Sequence, residues 1–457
     1  MYLFSLNPRR AAPSNPQKTP MRNRYLLLLM LLPASLAAQS LYFPPNNQNT
    51  WETLSPAALG YCPQQIDSLY QFLDINDSKA FILLKDGKIV LEKYFGAFQR
   101  DSFWYWASAG KTLTATLVGI AQQEGKLSVD DTTSTYLGKG WTSCTPQQEA
   151  KITIWNQLTM TTGLDDGVSN PDCTKPGCLQ YQADAGTRWA YHNAPYTLLD
   201  SVLQQATGMQ LNQFLASRLR NPIGMNGAYI KTGDNTVYYS NPRSMARFGL
   251  LLLAKGSWNG TPILADSAYV DQMINSSQPI NPSYGYLTWL NGKARFMVPQ
   301  SQFVFPGSLN PDAPDDMFAA MGKNGQVINV VPSEGLVWIR MGNPPPSETG
   351  LIPPVFNNEI WKYVNQLACG AVSTAEMEAE ADVRVFPVPF HDRLEIRSAV
   401  PVQSLTLFDV RGLLVGQWMP EGAADVSWPL PGTLASGVYW LRVQLTDGAP
   451  VVVRVVK

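Results

Sequence analysis

The chain has 457 residues, 45% hydrophobic and 11% aromatic, enough for a sizeable core and against a largely disordered polypeptide. Its 34 basic and 35 acidic residues leave a formal charge of -1, so no basic excess favours nucleic acid or an anionic membrane as main partner. Only His192 and His391 supply imidazole, which nearly excludes zinc sites built on several histidines and leads us to expect a different general base.

Near the N-terminus, Arg22, Asn23 and Arg24 precede the apolar run 26–32, followed by Pro33, Ala34, Ser35, Ala37 and Ala38. This order predicts a cleaved export signal over 1–38. Its apolar part is too short to span a bilayer, so no transmembrane helix is expected in the mature chain. Export permits disulfides. Of Cys62, Cys144, Cys173, Cys178 and Cys369, the Cys173/Cys178 pair flanks a Pro176-Gly177 turn and suits a local bridge. The remaining pairing stays open.

Pro63 opens an amphipathic helix predicted over 63–73. Phe81-Ile82-Leu83-Leu84 and Ile89-Val90-Leu91 flank Lys85-Asp86-Gly87-Lys88 and predict a hairpin. From about 108 to 255 the pattern is mostly helical, as over 197–206. Strands are expected at 327–331 and 335–341, and a closing helix at 357–367. A sheet drawn from both ends of this region, with a helical insert, gives an α+β class. Residues 371–382 carry Glu376, Glu378, Glu380 and Asp382 with no basic residue and read as a linker. Residues 383–457 alternate with period two and read as a small β-sandwich.

Three stretches could carry chemistry. Ser108-Ala109-Gly110-Lys111 begins a helical stripe, which puts Ser108 and Lys111 one turn apart on one face. A serine hydroxyl needs a base to become nucleophilic, and a lysine of lowered pKa can be that base. Tyr191-His192-Asn193 offers a phenol for proton transfer and an amide for a substrate carbonyl. Lys323-Asn324-Gly325-Gln326 offers a cation, and a glycine that lets a ligand approach the backbone closely. Each is weak alone, because an N-cap serine, a packed tyrosine or a turn lysine reads the same way.

Together, in this order, they resemble the penicillin-recognising serine hydrolases: serine β-lactamases, D,D-peptidases and related esterases. Leu158-Thr159-Met160-Thr161-Thr162-Gly163-Leu164 and Gly186-Thr187-Arg188-Trp189-Ala190-Tyr191-His192-Asn193 are similar to that family's intervening segments, and the resemblance runs over 55–367. It implies a beta-lactamase-like α+β fold, an antiparallel sheet flanked by helices plus an all-helical subdomain. It implies Ser108 as nucleophile, and Lys111 and Tyr191 as the general base and acid. Asn193, Lys323 and Gly325 would contact substrate, and the backbone N–H groups of Ser108 and Gln326 would form the oxyanion hole. No cofactor or metal is implied. Asn324 replaces the family's usual Thr or Ser, which weakens the case for β-lactam turnover. Ester or amide hydrolysis is the favoured expectation, with D,D-peptidase or β-lactamase activity, or a catalytically silent binding protein, as alternatives.

The tail has its own resemblance. Val385-Phe386-Pro387-Val388-Pro389-Phe390, Leu407-Phe408-Asp409-Val410-Arg411-Gly412 and Leu434-Ala435-Ser436-Gly437-Val438-Tyr439 are similar to the sorting domain of type IX secretion. That implies the secretion machinery as a partner, and export through the periplasm to the surface or medium of a Gram-negative bacterium. A carbohydrate- or protein-binding sandwich is the plainer reading.

Overall fold

The computed structural model describes residues 41–47, 50–345, 350–369, 383–410, 412–420, 422–446 and 450–457. The expected export signal (1–38) and acidic linker (371–382) lie outside them. Among the described residues, no helix is long and apolar enough to cross a membrane.

Pro63 sits at the first position of helix α1 (Pro63–Ile75), where its missing N–H costs nothing. The apolar runs around Asp86-Gly87 form strands β1 (Ser78–Lys85) and β2 (Lys88–Tyr94), paired antiparallel with Leu83 opposite Leu91. Helix α2 (Gly110–Gln123) follows and is buried from Gly110 to Ala121. Later come helix α3 (Leu199–Thr207) and helix α4 (Pro242–Leu253). Next are short strand β3 (Trp289–Leu290) and strands β4 (Phe318–Gly322), β5 (Gln326–Val331) and β6 (Leu336–Gly342), then helix α5 (Pro354–Asn365).

The sheet order is β2-β1-β6-β5-β4-β3, antiparallel throughout. Strands from the two ends of the region meet at its centre, where Ile82 faces Ile339 and Leu83 faces Trp338. The inner strands are buried along nearly their whole length, so both faces must be covered. Helix α4 contacts β1, β5 and β6. A side chain at Gly249 on α4 would meet Val337 and Ile328, so the glycine permits this close approach.

The expected helical region also contains a hairpin, Ala228–Thr232 with Asn235–Ser240, whose second strand pairs with Trp104–Tyr105. Tyr238 and Tyr239 supply strand propensity, and Gly233, in a left-handed conformation, supplies the turn. The tail forms two small antiparallel sheets over 384–456 with its own apolar core, including Leu394, Ile396, Leu405, Leu407, Leu441 and Val443.

Among the described residues two disulfides are present. Cys173–Cys178 is the local bridge expected from the Pro-Gly turn. Cys62–Cys369 joins positions 307 apart, from just before α1 to just after α5, while Cys144 is free. Closing so long a loop restricts the unfolded chain strongly. Replacing both Cys62 and Cys369 by Ser should lower the melting temperature by about 10 °C, with the fold retained. An unchanged melting curve would mean that the bridge does not constrain the unfolded chain.

Candidate active site

Ser108 lies in a 3-10 turn, Ala107–Ala109, that runs directly into α2. Ala107 has φ +46°, an uncommon backbone for a residue with a side chain, so the chain turns sharply just before the serine. The preceding Trp106 anchors the turn. Its backbone N–H donates to Tyr238 O at 2.8 Å and its indole Nε1 to Ser240 Oγ at 2.8 Å. Ser108 itself is half-buried, within reach of a substrate and at the positive end of α2.

Lys111, one turn on, is 4% exposed. Its Nζ lies 2.9 Å from Ser108 Oγ and 2.9 Å from Asn193 Oδ1. It also sits 4.3 Å from the Tyr196 ring centre and 5.0 Å from that of Tyr191. Burial lowers the Lys111 ammonium from 10.5 to about 7, with the Asp172 charge acting the other way.

Tyr191 is buried. Its ring stacks on Trp289 of β3 at 5.8 Å and meets Tyr284 edge-on at 6.3 Å. Burial pushes its phenol well above the ordinary tyrosine value, while the neighbouring Ser108 hydroxyl acts to favour its anion. The phenolic oxygen has no fully formed hydrogen bond among the described residues. Asn193 starts the helical turn Asn193–Thr197, and its Nδ2 donates to Asp172 Oδ1 at 2.7 Å. Nothing in the sequence pattern singles out Asp172. Its spacing from Asn193 carries no periodicity, and only the disulfide loop hints that the segment is fixed.

The third predicted stretch is the turn joining β4 to β5. Lys323 is exposed there, and among the described residues its side chain makes no hydrogen bond to Ser108, Lys111 or Tyr191. The space beside Gly325, whose φ is +74°, is occupied by Arg340, which donates to Gly325 O at 3.1 Å and to Asn324 O at 2.8 Å. Gln326 is tied to β6, with Nε2 donating to Gly342 O at 2.6 Å and Oε1 accepting from Gly342 N at 3.0 Å.

The residue pressed against the nucleophile is Gly322, at the end of β4. A Cβ there would lie 2.5 Å from Trp106 O, 2.7 Å from Ala109 N and 2.9 Å from Ser108 N. Ser108, Lys111, Tyr191 and Asn193 thus converge, and the third stretch reaches them through its backbone at Gly322. Among the described residues no cluster of three or more His, Cys, Asp or Glu is arranged to hold a metal. A separate cavity of about 590 Å³ lies beside the tail, lined in part by Phe296, Phe305, Ile352 and Trp440.

The turn carrying Ser108 packs against strands β4 and β5 of the sheet, and comparison with known proteins names the fold. The family model described as Beta-lactamase matches residues 77–350, more than half of the chain, and the protein belongs to that family. An uncharacterised protein of Alkalihalophilus pseudofirmus is 25% identical over 310 residues, 60% of this chain and 85% of the relative. A Bacillus anthracis structure provisionally described as a 6-aminohexanoate-dimer hydrolase has a TM-score of 0.54 at 19% identity, covering 72% of this chain and 91% of its own. A family VIII carboxylesterase has a TM-score of 0.52 at 15% identity, covering 67% and 98%. At those identities the two structures show a shared fold.

Proposed function

We propose that this protein is a serine hydrolase that cleaves an ester or amide through an acyl-enzyme on Ser108. The observation that carries the reading is a buried amine, its ammonium disfavoured by that burial, 2.9 Å from a half-buried serine hydroxyl at the start of a helix. The same burial lowers the lysine and raises the tyrosine, and such divergence assigns the roles. Burial makes Lys111 the group that can shed its proton near neutral pH, so in its neutral form it takes the Ser108 proton. Tyr191 keeps its proton and delivers it to the leaving oxygen or nitrogen.

Ser108 Oγ bonds to the carbonyl carbon, the carbonyl oxygen becomes an oxyanion, and the bond to the leaving group breaks as Tyr191 protonates it. Proton return from Lys111 restores Tyr191. Water then attacks the acyl-enzyme with its proton passing to Lys111, and Ser108 leaves reprotonated. Two backbone N–H groups are assigned to the oxyanion. One is that of Ser108. The second is assigned to Lys323, immediately after Gly322, which abuts Ser108 N; the N–H of Gln326, paired opposite Gly322, is the alternative. Each such donor typically contributes about 100- to 1000-fold in rate.

The test is covalent. A fluorophosphonate probe labels the wild type, and Ser108→Ala does not. A panel of p-nitrophenyl esters, D-amino acid amides and nitrocefin then identifies the substrate class. An unlabelled wild type with no turnover of any of these favours a silent binding protein on the same fold.

The tail is read as a type IX secretion address, with the protein delivered to the cell surface or medium. Its support is the sequence resemblance over 383–457 and the two disulfides, which suit an oxidising compartment. Deleting 383–457 should trap the protein in the periplasm. Unimpaired secretion of the truncated chain would leave the tail as a binding module.

A further inference from the structure

Asp172 immediately precedes Cys173, one end of the Cys173–Cys178 disulfide. The Ala194 N–H donates to Pro171 O at 3.1 Å, which fastens this segment to the turn carrying Asn193. Asn193 Nδ2 donates to Asp172 Oδ1 at 2.7 Å, and Asn193 Oδ1 accepts from Lys111 Nζ at 2.9 Å.

A side-chain amide can face either way, whereas a carboxylate accepts hydrogen bonds and cannot donate them. Asp172 therefore holds the amide with its oxygen toward Lys111. A neutral amine has one lone pair. Once an N–H is committed to Asn193 Oδ1, that lone pair is free to accept from Ser108 Oγ, 2.9 Å away. With the amide reversed, Asn193 would donate to Lys111 and compete with Ser108 for the lone pair.

We infer that Asp172 is a positioning residue: it sets the direction of the hydrogen-bond chain Asp172–Asn193–Lys111–Ser108 and so keeps the lysine lone pair aimed at the nucleophile. This rests on the hydrolase reading above. The charge of Asp172 has a second effect, since it favours protonated Lys111 against the burial. The other groups facing Lys111 are the rings of Tyr191 and Tyr196, with buried Asp200 acting on Tyr196 from beyond. Asp165, Asp166 and Arg188 act on the neighbouring His192.

The experiment uses the full chain with Asp172→Asn, which keeps shape and removes charge. Steady-state kinetics are measured across pH on the best ester of the panel, and Lys111 is titrated by NMR of ¹³C-labelled lysine. The expected result is kcat lowered about tenfold, as for a charged hydrogen bond made neutral, with KM little changed. Both the acid limb of the profile and the Lys111 titration move to lower pH. A residue that merely braces the loop would lower stability without moving either. An unmoved Lys111 titration, or an unchanged kcat, overturns the proposal. Asp172→Ser serves the same readouts should the Asn variant fail to fold. A wild type that neither turns over nor labels sinks the hydrolase reading instead, and the Lys111 titration still decides whether Asp172 acts on the amine.

Discussion

Lys111→Met lowers kcat by about 1000-fold and leaves KM nearly unchanged. The substitution keeps length and burial but removes the acceptor for the Ser108 proton, and general-base catalysis is typically worth about 100- to 10,000-fold. Loss confined to kcat is the signature of an interaction made in the transition state rather than with bound substrate. In the wild type the same group sets the pH dependence. Protonated Lys111 cannot accept, so kcat/KM should rise with pH and level off above about 7. A profile flat from pH 5 to 9 would remove Lys111 from the role.

The variant should also be more stable. The folded-state pKa of Lys111 lies below its unfolded value of 10.5, so the unfolded chain binds the extra proton between about 7 and 10.5. The cost of burying the charge is therefore present in full below about 7 and fades as pH rises toward 10.5. It is of the order of 5 kcal/mol, and Lys111→Met escapes it. The gain in melting temperature should be largest below pH 7 and shrink toward pH 10. Thermal melts across pH check this, and a gain that grows with pH would contradict it.

Gly322→Ala should cost about 100-fold or more in kcat, because small misplacement of a reacting group is enough for such a loss. The new methyl group would fall on Trp106 O, Ala109 N and Ser108 N, all backbone atoms that no rotamer change can clear. Either the Ser108 turn shifts or the end of β4 withdraws, and both open the proposed oxyanion site. Gly249→Ala is the contrast. There the clash is with Val337 and Ile328 in the core, so stability should fall while the folded fraction keeps its kcat. Paired melts and single-turnover labelling separate the two. Equal labelling rates for Gly322→Ala and wild type would show that the close approach is not functional.

Local pattern made part of this molecule readable. The β1–β2 hairpin announces itself through two apolar runs around Asp86-Gly87, and α1 through Pro63. The Cys173–Cys178 bridge follows from an intervening Pro-Gly turn. Long-range geometry was not readable. Cys62–Cys369 depends on the two ends of the region meeting in space. The hairpin at 228–240 was hidden within a mostly helical pattern.

At the site, spacing puts Ser108 and Lys111 one turn apart on one face, but their catalytic reading, like that of Tyr191 and Asn193, needed the family resemblance. Asp172 and Gly322 act by where the fold puts them. One is a carboxylate in an irregular loop, the other a missing side chain. Neither has a periodic signature. The third stretch was legible as a turn before a strand, but that the backbone at Gly322 abuts the Ser108 turn was not.

The most direct test of the whole account is peptide mass spectrometry of the protein quenched during turnover of an activated ester. The account predicts an acyl adduct on Ser108 alone, accumulating above pH 7 and absent in Ser108→Ala. An adduct on another residue, or steady turnover by Ser108→Ala, would contradict it.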